Sequence, residues 1–405
     1  MKECGDKVFV GRQPIYRDGV DVFGYELLSR ENELNHAALA DGDKATAQLL
    51  LNTFLDIGLD QVVGPHLAFV NVTRNFLFSE YCDSLPKGRV VLEIAGDTDT
   101  DTALLDRLSR LAQSGYCIAL DNFVYSEQLR PLVQISDIVK LNVQSLDRES
   151  ITQNARALRE YEVKLLAQKV ETHEDHQFCK QLGFDYYQGY FFCKPQVVSE
   201  TKIPFSRLST LNLLARLQDP NIKIDDLERA LAQDLAISYR ILRYLNSPML
   251  AMPRKIESLR HAITLVGTRL ISNWASLILL EAVEDKPREL MTTTMVRAHM
   301  CQQLGTAMRQ ANIDQFFTVG LFSLIDALID RPMEDTLKAL PLIDDVKEAL
   351  LHRKGLMGKA LDCVEAYERC DWEHTACANL DEKNIREAFL SSVAYTRKVS
   401  GELVS

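Results

Sequence analysis

One pattern limits the fold more than any other feature of this chain. Eight short, β-rich apolar runs recur through the first 195 residues: VFVGRQPIY, VFGYELLSR, LAFVNV, VVLEIAG, CIALDNF, DIVKLNV, KLLAQKV and FDYYQGYFF. Helix-like stretches separate them. KATAQLLLNTFLDIGL, ALLDRLSRLAQSGY and EDHQFCKQLGF each carry apolar residues at three-and-four spacing and stop at Gly58, Gly115 and Gly183. Glycine just past a periodic run is the usual left-handed helix terminator. Strand and helix alternating this often predict a parallel sheet with crossover helices. The runs are apolar throughout, as expected of strands covered on both faces. Their number favours a closed (β/α)8 barrel of the TIM type over an open sheet.

From about residue 200 the pattern changes. LSTLNLLARLQ, IDDLERALAQ, AISYRILRYLN, SLRHAITLVG and RLISNWASLILLEAV read as successive helices, and strand signals nearly vanish. Ser258 before LRHAITLVG and Gly267 after it predict a short capped helix. The junction KPQVVSETKIPFS holds Pro195 and Pro204 and suits a boundary. The expected organisation is an α/β barrel over 1–200 followed by an all-helical domain over 201–405.

Composition narrows the function. With 57 acidic against 46 basic residues, the formal net charge is −11, and no Lys/Arg-rich run occurs. Such a chain is a poor partner for nucleic acid or an anionic membrane. The opening MKECGDKVFVGRQP has no apolar signal core, and no stretch approaches the length of a membrane span. Nine cysteines with no CxxC pair read as free thiols in a reducing compartment, so the expected location is cytoplasmic. Cys363, Cys370 and Cys377 are seven apart, with His374 between the last two. On one helix, successive sulfurs would stand about 10 Å apart, too far for one metal, so a buried stripe is expected.

Polar residues interrupt the apolar runs at or near their ends: Glu26, Asn71, Glu93, Asp121 with Asn122, Lys140 with Asn142, Gln168 and Gln188. A single strand-end carboxylate facing water would mean little. Seven strands each contributing a polar group are another matter, because the C-terminal strand ends of such a barrel converge on one site. Carboxylates with an amide oxygen form the donor set of a hard divalent cation such as Mg²⁺ or Mn²⁺.

The series QPIY, YELLSR, FVNV, VLEI, ALDNF, VKLN, LAQKVET, QGYFF and KP resembles the EAL domain over roughly residues 6 to 200. That family consists of barrel phosphodiesterases acting on the messenger cyclic di-GMP. The second half, through Asp219-Pro220, ALAQDLAISYRILRYLNSP and IESLRHAITLVG, resembles the HDOD domain, a helical relative of HD-type metal phosphohydrolases. The resemblance implies that Glu26, Asn71, Glu93 and Asp121 would hold one metal. It places Lys140 near the nucleophilic water, and Gln13, Arg30 and Gln188 against the nucleotide.

At three positions a carboxylate of the family is a carboxamide here. Its Asp-Asp pair is Asp121-Asn122, its Lys-x-Asp is Lys140-Leu141-Asn142, and its Ala-Glu-x-Val-Glu is Ala167-Gln168-Lys169-Val170-Glu171. The loop after Asp121 departs as well: where the family has a glycine-rich segment, this chain has FVYSEQLRPL, with no glycine. An amide oxygen is a weaker ligand than a carboxylate and cannot take a proton from water at neutral pH. The expectation is therefore a non-catalytic barrel that requires no cofactor, with Mg²⁺ or Mn²⁺ only if the residual site is filled. The alternative is an active cyclic di-GMP phosphodiesterase using those metals, and a third reading is an adaptor whose barrel binds nothing. No His-Asp doublet occurs in the chain; Ser323-Leu324 stands at that position, and His299 would be a lone ligand. The helical half is expected to bind a partner protein or a second copy of the chain as a homodimer.

Overall fold

The computed structural model describes residues 11–18, 21–28, 58–191 apart from 97 and 99, and, with short gaps, 213–399. The first periodic helix expected, before Gly58, lies outside the described residues, as does Arg30.

Eight strands close a barrel in sequence order. They are β1 (Gly11–Arg17), β2 (Val22–Leu28), β3 (Leu67–Asn71), β4 (Val90–Ala95), β5 (Cys117–Asp121), β6 (Ile138–Asn142), β7 (Lys164–Gln168) and β8 (Tyr186–Gln188). From β2 to β8 neighbouring strands run parallel, as expected. β1 does not: it pairs antiparallel with both β2 and β8. Only residues 18–21 separate β1 from β2. A parallel crossover needs a dozen or more residues, so a connection this short forces a hairpin. It is closed by Arg17 N–H donating to the Asp21 carbonyl at 2.8 Å.

The barrel interior is layered by the two-residue period of a strand. Ile15, Phe69, Val91, Ala119, Ile138 and Leu166 form one buried apolar layer. Gly24 belongs at this level, because a Cβ there would stand 2.8 Å from the Phe69 ring. Two residues further toward the C-terminal ends of β2 to β8 come Glu26, Asn71, Glu93, Asp121, Lys140, Gln168 and Gln188. On reversed β1 the same step leads back from Ile15 to Gln13, which lies opposite Glu26. The floor of the polar ring is thus fixed by large aliphatic and aromatic side chains that cannot shift without opening voids.

Three outer helices show why the crossovers form. In α1 (Thr102–Gln113), Asp101 caps the start by accepting from Leu104 N–H, and Leu104, Leu108 and Leu111 are buried on one face. In α2 (Arg148–Leu158), Asp147 caps Ser150 N–H above buried Ile151, Ala155 and Leu158. In α3 (His173–Gln181), Thr172 caps Asp175 N–H. Gly115 and Gly183 follow α1 and α3 with φ of 93° and 77°, the terminators the sequence implied.

Every described element beyond residue 213 is a helix: α4 (Ile224–Ala232), α5 (Leu259–Val266), α6 (Thr268–Glu281), α7 (Arg288–Ala307), α8 (Ile313–Phe322), α9 (Ile325–Ile329), α10 (Met333–Lys338), α11 (Asp344–His352), α12 (Gly355–Glu368) and α13 (Glu382–Val399). Ser258 caps α5 through His261 N–H, and Gly267 ends it at φ 90°. α7 packs against both α8 and α13 and is buried around most of its circumference. No helix among the described residues is long and apolar enough to cross a membrane.

The chain divides into two compact units, and the division is not a single cut. The barrel unit includes Ala366–Glu373, while Cys193–Glu365 and His374–Ser405 make up the helical unit. The cysteine stripe is corrected by the same feature. Cys363 lies in α12, but the helix ends at Glu368, Cys370 takes φ 60°, and Cys377 lies beyond the turn. All three are buried, yet not as one helical face. The reversal brings the Cys377 thiol within hydrogen-bonding reach of Cys363.

Candidate functional site at the barrel mouth

The polar ring is organised around Lys140. Its Nζ lies 2.9 Å from Glu26 Oε2, 2.5 Å from Glu93 Oε1 and 3.2 Å from Asp121 Oδ1. The lysine is fully buried, as is Glu93, and Glu26 is nearly so. A charge so deep is tolerated only when paired and hydrogen-bonded. Burial alone would pull the ammonium toward neutrality. The carboxylates of Asp121, Glu26 and Glu93 more than reverse this and hold it charged, well above an ordinary lysine. Glu93 moves upward as well, first through burial and then through the charge of Glu26, with Lys140 opposing both.

The carboxamides complete the arrangement. Gln168 Nε2 donates to Asp121 Oδ1 at 2.7 Å, and Asn122 Nδ2 donates to Asp121 Oδ2 at 3.1 Å. Gln188 Nε2 donates to Glu26 Oε2 at 2.7 Å and Asn71 Nδ2 to Glu26 Oε1 at 3.1 Å. Asn142 Nδ2 reaches Asn122 Oδ1 at 3.2 Å, while its own Oδ1 accepts from the backbone N–H groups of Gln144 and Ser145. Asn122 stands at φ 48°, a left-handed position that asparagine tolerates better than most residues. Where a carboxylate at 122 or 168 would repel Asp121, each amide instead donates to it.

Gln13 accepts from Gln188 Nε2 at 3.2 Å, so it joins the ring from the antiparallel strand. Of the residues singled out from sequence, Gln13, Glu26, Asn71, Glu93, Asp121, Asn122, Lys140, Asn142, Gln168 and Gln188 therefore converge. Two features were not readable from sequence: the central place of Lys140 among three carboxylates, and a backbone carbonyl from Arg369 accepting from Gln13 Nε2 at 3.4 Å.

The donor set can be tested against a metal. Glu26, Asn71, Glu93 and Asp121 offer the oxygen ligands one hard cation prefers. Glu93 Oε2, Gln168 Oε1 and Gln188 Oε1 are buried acceptors without a hydrogen-bond partner, so the ring has oxygen capacity to spare. The Lys140 ammonium, however, already stands among these three carboxylates, and as they are placed they are not arranged to hold an ion. Asn122, Asn142 and Gln168 add neutral amides to the ring and no anionic oxygens.

In the helical unit, Ser323 accepts from Arg297 at 3.3 Å, and Arg297 pairs with Glu365 at 3.0 Å. His299 is buried, shares a 2.9 Å hydrogen bond with Ser392 and stacks on Tyr395. Burial lowers its pKa to about 4. This is a packed core histidine. Among the described residues no cluster of three or more His, Cys, Asp or Glu side chains is arranged to hold a metal.

Comparison with known proteins agrees with the two halves. The EAL domain family matches residues 13–195 and the HDOD domain family residues 203–339. The cyclic di-GMP phosphodiesterase CdgJ of Vibrio cholerae serotype O1 is 31% identical over 404 residues, covering 97% of this chain and 93% of that protein. YuxH of Bacillus subtilis is 33% identical over 410 residues, covering 96% of this chain and 98% of that protein. Among solved structures, the FimX EAL domain of Pseudomonas aeruginosa bound to c-di-GMP is 19% identical with a TM-score of 0.37, covering 46% of this chain and 89% of that one. The YkuI protein of Bacillus subtilis, in complex with c-di-GMP and calcium, is 19% identical with a TM-score of 0.38, covering 56% and 73%. With two relatives above 30% identity matched along nearly their whole length, the chain belongs to the family of proteins that join an EAL barrel to an HDOD domain.

Proposed function

We propose that this protein is a signalling regulator whose barrel binds cyclic di-GMP without hydrolysing it, and whose helical half passes the state of the barrel to a partner protein. The observation that carries this reading is the internally paired ring. Lys140 sits among Glu26, Glu93 and Asp121, and Gln168 and Asn122 both donate to Asp121. In-line attack on a phosphodiester by two-metal catalysis needs both ions and a base to generate hydroxide. Here carboxamides stand at three positions where the family has carboxylates, and an amide neither supplies an anionic ligand to a second ion nor takes a proton from water. Half-buried Gln13 and the unpartnered Oε1 of buried Gln188 remain as groups able to hydrogen-bond a nucleotide. No cofactor is required for such binding.

A metal ion, when bound, would polarise a phosphate oxygen. Glu26, Asn71, Glu93 and Asp121 would hold it, while Lys140 would neutralise the carboxylates the ion leaves uncovered. Calorimetric titration with cyclic di-GMP tests the binding. The wild-type chain is expected to bind without added metal and Gln188→Ala to bind more weakly. Equal affinities would remove Gln188 from the account.

A second reading, an active cyclic di-GMP phosphodiesterase, is favoured by one finding. The relative that matches 97% of the chain carries that name. The two readings separate on turnover alone.

The helical half supports a binding role rather than a reaction. Ser323 stands where hydrolysis would need a metal-ligating doublet, and Arg297 already fills the space beside it. A partner protein or a second copy of the chain is the proposed occupant of its surface, and a pull-down with the full chain would identify which.

A further inference from the structure

The segment Ala366–Glu373 belongs to the barrel unit although it comes from the far end of the sequence. It contains the last turn of α12 and the reversal that follows. Asp371 N–H donates to the Ala366 carbonyl at 2.8 Å and Cys370 N–H to the Tyr367 carbonyl at 3.0 Å. That is the paired bonding of a Schellman terminator, whose left-handed residue is usually glycine. Here it is Cys370 at φ 60°. A side chain in that conformation is unfavourable unless its surroundings hold it there.

Those surroundings are on β1. A Cβ on Gly11 would stand 2.5 Å from Cys370 Sγ and 3.1 Å from the Trp372 ring. The missing side chain of Gly11 is thus the slot that Cys370 and Trp372 fill. Tyr367 and Cys370 are fully or almost fully buried, and Trp372 is 6% exposed and packs edge-on against Tyr367. Polar contacts flank the slot. Tyr190 Oη donates to the Glu368 carbonyl at 2.5 Å, and Gln13 Nε2 donates to the Arg369 carbonyl at 3.4 Å. Gln13 is two residues from Gly11 on the same strand and belongs to the polar ring through Gln188. The segment therefore uses a donor that the nucleotide would need.

We infer that Ala366–Glu373 is a built-in competitor seated at the rim of the barrel, and that a cyclic dinucleotide must take Gln13 from the Arg369 carbonyl and loosen the segment in order to bind. The inference rests on the cyclic-dinucleotide reading of the barrel. The segment lies in the chain between the body of α12 and α13. When the binding-competent state is only a fraction of the population, apparent affinity falls by that fraction.

The test uses the full-length protein, cyclic di-GMP as the probe, and variants from both sides of the slot, Trp372→Ala and Gly11→Ala. Both are expected to bind cyclic di-GMP more tightly than wild type, on the order of tenfold. Hydrogen exchange at the Cys370 and Asp371 amides is expected to speed up in wild type when the ligand is added. If the wild type binds but the exchange is unchanged and neither variant binds more tightly, the competitor is refuted while the nucleotide reading stands. If the wild type fails to bind and Trp372→Ala binds, the segment blocks the site outright and the inference holds. If no form binds, the nucleotide reading falls and the competitor falls with it.

Discussion

Replacing Lys140 with methionine puts the ring's charge balance to a quantitative test. The substitution keeps length and removes the ammonium that Glu26, Glu93 and Asp121 share. Losing one partner of a buried ion pair typically costs about 3–5 kcal/mol. The ring also has its own way of limiting the loss. Glu93, already raised by burial and by Glu26, can take up a proton once Lys140 no longer opposes it. An unfolded glutamate titrates near about 4.3, so holding that proton near neutral pH costs about 1.4 kcal/mol for each of about 2.7 pH units, or about 3.7 kcal/mol. The expected destabilisation at about pH 7 is therefore 3–4 kcal/mol. The sign follows from linkage: the folded variant binds a proton that the unfolded chain does not, so stability falls as pH rises. At about pH 5 the expected loss is roughly 1 kcal/mol. The chain has two tryptophans, Trp274 in the helical unit and Trp372 in the barrel unit. A Trp274→Phe background makes fluorescence during urea unfolding report the barrel unit, which matters because a two-unit chain need not unfold in one step. A loss below about 1 kcal/mol at neutral pH, or one independent of pH between about 5 and 7, would refute the assigned role of Lys140.

Restoring Asn122→Asp, Asn142→Asp and Gln168→Glu together is expected to raise Mn²⁺ affinity at least tenfold by titration calorimetry, since it adds anionic oxygens; no gain would place these positions outside the metal site. Gly189→Ala should destabilise the barrel by more than about 2 kcal/mol in the same urea assay, because Gly189 sits at φ 149° with its missing side chain directed at the Val170 backbone. Ser258→Ala should cost about 1 kcal/mol in the thermal unfolding of the helical unit by removing the cap on His261 N–H.

Much of the barrel was readable because its signals are local. Apolar runs, helix-ending glycines and polar strand ends each follow from the chemistry of a few adjacent residues, and the two-residue period carries Val91 to Glu93 and Leu166 to Gln168. The antiparallel β1 was equally readable from the four residues between Arg17 and Val22, though strand–helix alternation masked it. What could not be read depends on partners distant in sequence. Asn122, Asn142 and Gln168 appear in sequence only as lost charge; that Gln168 and Asn122 become donors to Asp121 requires the folded ring. The seven-residue cysteine spacing suggested one helix, but the left-handed turn at Cys370 depends on Gly11, more than 350 residues away. Periodicity cannot detect a reversal that is stabilised by tertiary contact.

The most direct test of the central claim is to incubate the purified chain with cyclic di-GMP and Mn²⁺, then separate the products by chromatography. The internally paired ring predicts that the cyclic dinucleotide is recovered intact, with no linear product above that of a Glu26→Ala control. Metal-dependent formation of the linear dinucleotide that disappears in Glu26→Ala would contradict the account and establish the barrel as a phosphodiesterase.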